Sequence, residues 1–328
     1  MAPGPETKNK ILRVGLVGTG SVAQVIHLPV LALMSHLFKV TALCDISAQS
    51  RAHSAQKWGI TKTYESSKDL CADRKLLIFR QAPVAREAIA QGKHVFIEKP
   101  MCLTLEDADT ISAAANKAGV VAFVGYMRRY APALQQAIDL VGGLEKNAFF
   151  IPQSGTFPLA FTDFPPNALT ARQSLEESIY ARALGPRAQD AQLRALLRFL
   201  GGLGAHDLSV MRQVLGMPVS RFVSAMFDYG SFVCTYETGV DQVGRFDACV
   251  EVFGGDKRVK LDYDTPFIKG LPIHIIKIIP TFEDPYTLEM KELWDAIVEG
   301  KEFKSTVEDA RKEVEIWAMI VDALPKQQ

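Results

Sequence analysis

Ile11-Leu12-Arg13-Val14-Gly15-Leu16-Val17-Gly18-Thr19-Gly20-Ser21-Val22-Ala23 is the stretch on which the fold of this chain turns. Residues 11–17 form a continuous apolar run, as in a strand buried on both faces of a parallel sheet. The run passes directly into G-x-G-x-x-A, and residues 21–35 then carry a helical pattern. Gly18 permits the tight turn, Gly20 lets backbone approach a pyrophosphate, and Ala23 is small enough for close helix–sheet packing. The free N–H groups and positive dipole end of the helix suit phosphates. A second apolar run, residues 38–44, ends in Asp45. A carboxylate there accepts hydrogen bonds from ribose hydroxyls and repels a 2′-phosphate. Together these features imply a nicotinamide dinucleotide site built from Gly18, Thr19, Gly20, Ser21, Val22, Asp45 and Ile46. NAD is favoured, with NADP left open by Ser47 and Arg51 nearby, which have the chemistry to hold a phosphate. The plainer alternative is a structural glycine turn with a helix-capping Asp.

Working outward, residues 1–10 read as a polar tail. A helix over 47–58 closes at Gly59 in the position that favours a left-handed residue. Strand 76–79, helix 84–91 with Gly92, and strand 94–97 follow. Thr104-x-x-Asp107 has the form of a capping box with Asp in place of Glu. It opens a helix to Lys117, with Gly119 as the stop and a strand at 120–124. This alternation predicts an α/β, doubly wound parallel sheet over residues 11–125, a Rossmann domain. From 126 to 216 the chain reads as helical or irregular, broken at Gly142-Gly143, Pro165-Pro166 and Gly185-Pro186. Consecutive strands are expected at 221–228, 231–237, 245–253, 258–263 and 273–279, with Gly254-Gly255-Asp256 as a hairpin turn. Two helices, 285–298 and 307–324, close the chain. Residues 126–328 are therefore expected to form an α+β domain with a mostly antiparallel sheet.

The 328 residues suit two domains at about 150 residues each. With 37 basic and 37 acidic residues the net charge is zero, and no sustained basic run points to nucleic acid or an anionic membrane. The same neutrality gives little protection against self-association. Cys44, Cys71, Cys102, Cys234 and Cys249 are scattered and odd in number, which argues for a reducing compartment over a disulfide scaffold. No apolar run reaches the roughly 18 residues of a membrane helix, and the start lacks a signal-peptide core. The expectation is a cytoplasmic protein with a small-molecule partner. His27, His36, His53, His94 and His274 show no metal-ligand spacing, so no metal is expected.

Gly92-Lys93-His94-Val95-Phe96-Ile97-Glu98-Lys99-Pro100, taken with the Gly18–Ala23 turn, resembles the glucose-fructose oxidoreductase, inositol dehydrogenase and rhizopine catabolism (Gfo/Idh/MocA) family. Gly125-Tyr126-Met127-Arg128-Arg129-Tyr130, Gly204-Ala205-His206-Asp207-Leu208 and Leu215-Gly216-Met217-Pro218 look like further segments of it. Detail at residues 153–158 and 263–272 looks closest to fungal members. The resemblance implies a second domain whose sheet covers the nicotinamide, pairing into a dimer or tetramer, and chemistry carried by Lys99 and His206. Glu98, Lys99, Pro100 and Arg128 are then expected at the cofactor, and Tyr126, Arg129, Tyr180 and Asp207 at the substrate. The residue types suit hydride transfer, because a buried ammonium stabilises charge building on oxygen and a histidine titrates near neutrality. Helical spacing from Ala205 puts Leu208, Met211 and Leu215 on one face, and His206, Ser209 and Gln213 on another.

This chain departs from the family pattern in places. The family often carries Asp four residues before and three after the motif His; here those positions are Gly202 and Ser209, with Asp207 a candidate substitute. The loop after Phe79 is short of a T-P-x-x-x-H stretch, an early strand after Lys146 looks absent, and residues 229–231 and 276–280 look clipped. The expected activity is NAD(P)-dependent hydride transfer on a carbonyl or secondary alcohol of a sugar-like, cyclitol or other polar metabolite. The alternatives are a redox-neutral lyase or isomerase on the same scaffold and a non-enzymatic, dinucleotide-sensing protein of the galactose-pathway repressor type.

Overall fold

The computed structural model describes residues 10–73, 76–79, 82–141, 147–155, 166–217, 226–229, 233–239, 246–254, 257–262 and 284–323. The first sheet takes its strands from alternating segments. They are β1 (Leu12–Val17), β2 (Phe38–Cys44), β3 (Thr63–Tyr64), β4 (Leu76–Phe79), β5 (Val95–Glu98) and β6 (Ala122–Gly125). All pair in parallel in the order β3-β2-β1-β4-β5-β6. The order reverses between β1 and β4, and the carboxyl ends of the strands at such a switch point form the ligand crevice of this architecture.

The connecting helices begin and end where local chemistry dictates. After β1 a π-helical turn, Ala23–His27, runs into α1 (Leu28–Leu33). In α2 (Ala48–Trp58), Ser47 caps the first turn by accepting from Ser50 N, and Gly59 closes the last at φ 64°. α3 (Ser67–Ala72) is capped by Ser66, and α4 (Ala82–Ala90) ends before Gly92 at φ 66°. In α5 (Leu105–Ala118), Thr104 Oγ1 accepts from Asp107 N, with Gly119 at φ 61° beyond the end. Only this half of the capping box forms. Asp107 takes the Thr104 hydroxyl and the Arg182 guanidinium on its carboxylate instead of reaching the Thr104 backbone. β3 and α3 have no counterpart in the sequence reading, because two and six residues are too short to show periodicity.

Beyond β6 a 3-10 turn, Met127–Tyr130, leads to α6 (Pro132–Val141) and to β7 (Asn147–Gly155). β7 corrects the sequence reading. A strand does follow Lys146, and it is the central strand of the second sheet. Its signal is hidden by Pro152, which has no N–H for the ladder. Pairing with β10 is interrupted there, between Phe150↔Glu251 and Gln153↔Ala248. Next come α7 (Pro166–Leu184), α8 (Ala191–Phe199), a π-helical turn at Leu200–Gly204 and α9 (Ala205–Leu215). The remaining strands are β8 (Met226–Asp228), β9 (Val233–Gly239), β10 (Phe246–Gly254) and β11 (Lys257–Asp262), in the order β11-β10-β7-β9-β8. Only β7 and β9 run parallel, so the sheet is mostly antiparallel, and β10–β11 is the expected hairpin. The expected strand at 273–279 and the clipped-looking segment at 276–280 lie outside the described residues, as do residues 80–81, 156–165 and 263–272.

The closing helices, α10 (Pro285–Val298) and α11 (Val307–Ala323), return to the first sheet. Met290, Leu293 and Trp294 of α10 share a core with Leu12, Val14, Leu31, Phe96 and Phe123. A bridge from Phe123 to Thr306, with Val124 N donating to Ser305 O at 2.8 Å, covers the β6 edge. That protects a strand that would otherwise offer an unpaired edge. A second apolar cluster runs from Ala42 and Val95 through Ile111 and Leu208 to Cys234, Val250 and Leu261, so one core joins both sheets through α5 and α9. Among the described residues no helix is long and apolar enough to cross a membrane.

Candidate active site

The glycine turn is held by its neighbours. Gly18 sits at φ 86°, a conformation open to glycine at little steric cost, and its N–H donates to Cys44 O at 2.7 Å. Thr19 is fully buried. Its N–H and hydroxyl both donate to Asp45 Oδ2, at 2.6 and 3.0 Å, while Ser47 N donates to Oδ1 at 2.8 Å. Gln24 Nε2 and Ser50 Oγ both donate to Thr19 O. A carboxylate has about four acceptor positions, so Asp45 retains capacity for ribose hydroxyls while its orientation is fixed. Ser21 and Val22 start the helix and leave its first N–H groups unused within it. Ile46 is 60% exposed beside Asp45, an apolar platform at the mouth of the crevice. Arg51 is committed. It donates to Asp45 O and pairs with Glu65 at 2.8 Å. Ser47 is buried as a helix cap, so neither residue named as a 2′-phosphate ligand faces outward to take one.

The second part of the site is a corner where β5 meets α9. The Lys99-Pro100 bond is cis. Lys99 Nζ donates to Gly202 O, in the π-helical turn that precedes α9. A Cβ on Gly201 would stand 3.0 Å from Pro100 Cγ, and one on Gly204 2.8 Å from the Tyr236 hydroxyl oxygen. Glycines thus let this turn sit against both the proline corner and β9. At Gly202 the backbone carbonyl receives the lysine. His206 lies in the first turn of α9, partly buried. Burial above all, and then the fields of Lys99 and Arg128, push its pKa well below the ordinary value, so the imidazole is neutral. Its Nδ1 is buried without a hydrogen-bond partner. The face opposite the Leu208–Met211 stripe is not a solvated one, because Ser209 is fully buried and donates to His206 O at 2.6 Å.

Several expected ligands are engaged elsewhere. Asp207 is paired within the protein. It is 1% exposed and pairs with Arg128, and burial raises its pKa to about 6 despite that partner. Arg128, expected at the cofactor, is the partner in that pair. Tyr126 is fully buried and its hydroxyl donates to Glu313 Oε2 at 2.9 Å. Arg129 donates to Ser209 O and Lys304 O and pairs with Asp309. Tyr180 packs with Leu184, Leu193 and Leu197, and the Arg194 guanidinium covers its ring at 5.0 Å. All four were placed at the substrate by sequence, and in each case side-chain burial sends the polar group to a protein partner.

Two buried groups at the same corner escape a sequence reading. His27 Nε2 lies 2.8 Å from Glu98 Oε1, off the N–H direction, so the contact is electrostatic more than a linear hydrogen bond. Glu289 of α10 is 1% exposed, and burial and the field of Glu98 hold its carboxyl protonated, its pKa well above the usual range. His27 carries no metal-site spacing, and the one available signal was its place at the end of the glycine-turn helix's second turn.

The N-terminal segment, residues 12–126, matches the model of the oxidoreductase family with an NAD-binding Rossmann fold, GFO_IDH_MocA. The chain is 25% identical to the "Uncharacterized oxidoreductase YrbE" of Bacillus subtilis, over 90% of this chain and 89% of that one. It is 31% identical to inositol 2-dehydrogenase of Salmonella typhimurium over 165 residues, which span 44% of this chain and 49% of that enzyme. Among solved structures, GenD2 from gentamicin A biosynthesis, in complex with NAD, superposes with a TM-score of 0.74 at 20% identity, covering 98% of this chain and 97% of that one. The fold of the whole chain is therefore that of GenD2. These relatives include no fungal protein and lend no support to the fungal likeness.

Proposed function

We propose that the protein is an NAD-dependent dehydrogenase or reductase that interconverts a secondary alcohol and a carbonyl on a polyol-like metabolite. The observation that carries this reading is the meeting of Lys99 and a neutral His206 at one corner, beside the crevice that Gly18 and Asp45 begin. The similarity to inositol 2-dehydrogenase supports the substrate class. Bound NAD supplies the hydride acceptor. In alcohol oxidation the carbinol hydrogen leaves as hydride, the hydroxyl proton passes to the His206 imidazole, and the Lys99 ammonium donates a hydrogen bond to the substrate oxygen. Reduction runs the same steps backward, with His206 returning the proton. The near-zero net charge suits association into a dimer or tetramer, which light scattering would read.

Asp45 sets the cofactor preference. Asp45→Asn keeps an acceptor for Thr19 but removes the charge. Its loss should weaken NADH binding about tenfold, the scale of one charge-assisted hydrogen bond, and narrow the gap to NADPH. Fluorescence titration with both dinucleotides reads this, and wild-type protein that binds neither would defeat the oxidoreductase reading. A pH consequence follows from His206. With its pKa depressed, the base form persists from alkaline pH down through about 6.5, the ordinary histidine value. The kcat/KM for alcohol oxidation should therefore show no His206-dependent fall until below that pH. An acid limb centred near 7 that His206→Gln abolishes would contradict it.

A further inference from the structure

The entry of α9 is weak in its own right. Leu200-Gly201-Gly202-Leu203-Gly204 forms the π-helical turn before it, and glycine is the poorest helix former after proline because it has the most backbone freedom to lose. The N-cap, Gly204, has no side chain to take a first-turn N–H. His206, in the first turn of α9, is therefore placed by contacts from elsewhere in the chain. Those contacts come from the ends of two adjacent strands. β5 and β6 pair as far as Glu98↔Gly125. Lys99 follows Glu98 and donates to Gly202 O, just ahead of His206. Arg128, in the 3-10 turn Met127–Tyr130 that follows β6, donates to Asp207, the residue after His206. Arg129 of the same turn donates to Ser209 O at 3.0 and 2.7 Å. Ser209 Oγ closes on His206 O at 2.6 Å.

The side chains of Arg128 and Asp207 are 3% and 1% exposed. Taking two charges out of water costs about as much as their attraction returns, so a buried pair often adds little stability over well-packed apolar residues. What a charged, hydrogen-bonded contact supplies is direction, since it has a narrow range of good geometries whereas packed methylenes slide. Here the contact joins the crossover after β6 to α9 at the residue beside His206. After burial, the fields of Lys99 and Arg128 are what act on His206 and on Asp207, so the four groups share one corner. A misplacement of about 1 Å at a reacting group costs on the order of a hundredfold in rate.

We propose that Arg128 and Asp207 are positioning residues, tying α9 to the end of β6 so that His206 is held at a set place beside Lys99 for proton transfer. The assignment rests on the dehydrogenase reading above. The test is NAD-dependent oxidation of a panel of cyclitols and alditols that includes myo-inositol, with NADH titration and chemical denaturation of every variant. Wild type that oxidises no member of the panel defeats the dehydrogenase reading, and this proposal with it, before any variant is measured. Arg128→Met combined with Asp207→Leu replaces the pair by apolar side chains of similar bulk. This double variant should denature near the wild-type midpoint. It should bind NADH within about twofold of wild type and lose about a hundredfold in kcat at unchanged KM. Asp207→Asn keeps an acceptor for the Arg128 guanidinium and should stay within about tenfold of wild-type kcat. A folded double variant within about tenfold of wild-type kcat overturns the positioning role. So does a loss beyond about tenfold in Asp207→Asn, which would make the carboxylate charge, not the placement, the cause. A rise of about tenfold in the NADH Kd returns Arg128 to the cofactor, where the sequence placed it, and also overturns the role. Should the double variant fail to fold, Arg128→Lys decides. It keeps the charge on a shorter stem with a compact head, so kcat should fall about tenfold with the NADH Kd unchanged, and a smaller fall overturns the role.

Discussion

Lys99→Met should lower kcat about a thousandfold while leaving the NADH Kd within a few-fold of wild type. The side chain is a cation that joins the β5 end to the turn before α9. Its ammonium faces a developing alkoxide in the reduction direction, and loss of one such electrostatic donor typically costs 10²–10³ in rate. Methionine retains the stem and its packing against the corner, so the Gly202 carbonyl loses one donor at an exposed glycine, a small structural cost. Lys99→Arg tests the geometry of the donor at constant charge. A guanidinium keeps the charge, but its planar fork does not fit a site made for a compact ammonium. It should remain at least tenfold below wild type. Stopped-flow hydride transfer with a polyol substrate, with NADH titration as control, measures both. A Lys99→Met enzyme within tenfold of wild type would remove Lys99 from the chemistry.

The sequence made the crevice legible because its parts are local. Gly18, Gly20 and Ala23 lie within six residues of one another, and Asp45 ends the next apolar run. Asp45 accepts from Thr19 across the crevice mouth. Lys99 and His206, far apart in sequence, were legible only through the motifs around them, and α9 with its glycine turn brings them together. The sequence could not show which polar residues near these motifs are spent internally. Tyr126, Arg128, Arg129 and Asp207 sit in motif context, yet each is buried, and a buried polar group takes the partner that folding offers it. Asp309 and Glu313 lie in the last helix, and no periodicity in residues 126–216 points to them. β7 was hidden for a different reason. A central strand tolerates Pro152 because the β9 side carries the ladder where the β10 side breaks.

The same buried network gives the largest expected loss of stability. Tyr126 lies between two guanidinia, Arg129 and Arg212, each 5.1 Å from its ring centroid. Arg212 of α9 pairs with Glu313 and Asp309 of α11, both at 3.1 Å, and Asp309 also takes Arg129 at 2.7 Å. Two cations thus face two carboxylates, with Tyr126 donating to Glu313, and the crossover, α9 and α11 are locked at one point. Burial raises the Glu313 pKa, and Arg212 and the Tyr126 hydroxyl oppose that rise. Arg212→Met fills the space but leaves Asp309 and Glu313 facing one guanidinium. Removing one partner of a buried ion pair costs about 3–5 kcal/mol, and chemical denaturation should report a loss on that scale. Tyr126→Phe keeps the ring between the guanidinia and removes a single hydrogen bond, so it should cost about 1–3 kcal/mol. The two variants also decide what Tyr126 is for. If it serves only the network, Tyr126→Phe retains wild-type kcat and KM at a temperature where it is fully folded. A fall in kcat with full folding would return Tyr126 to the substrate, where sequence first placed it, and would require the Glu313 contact to open during turnover.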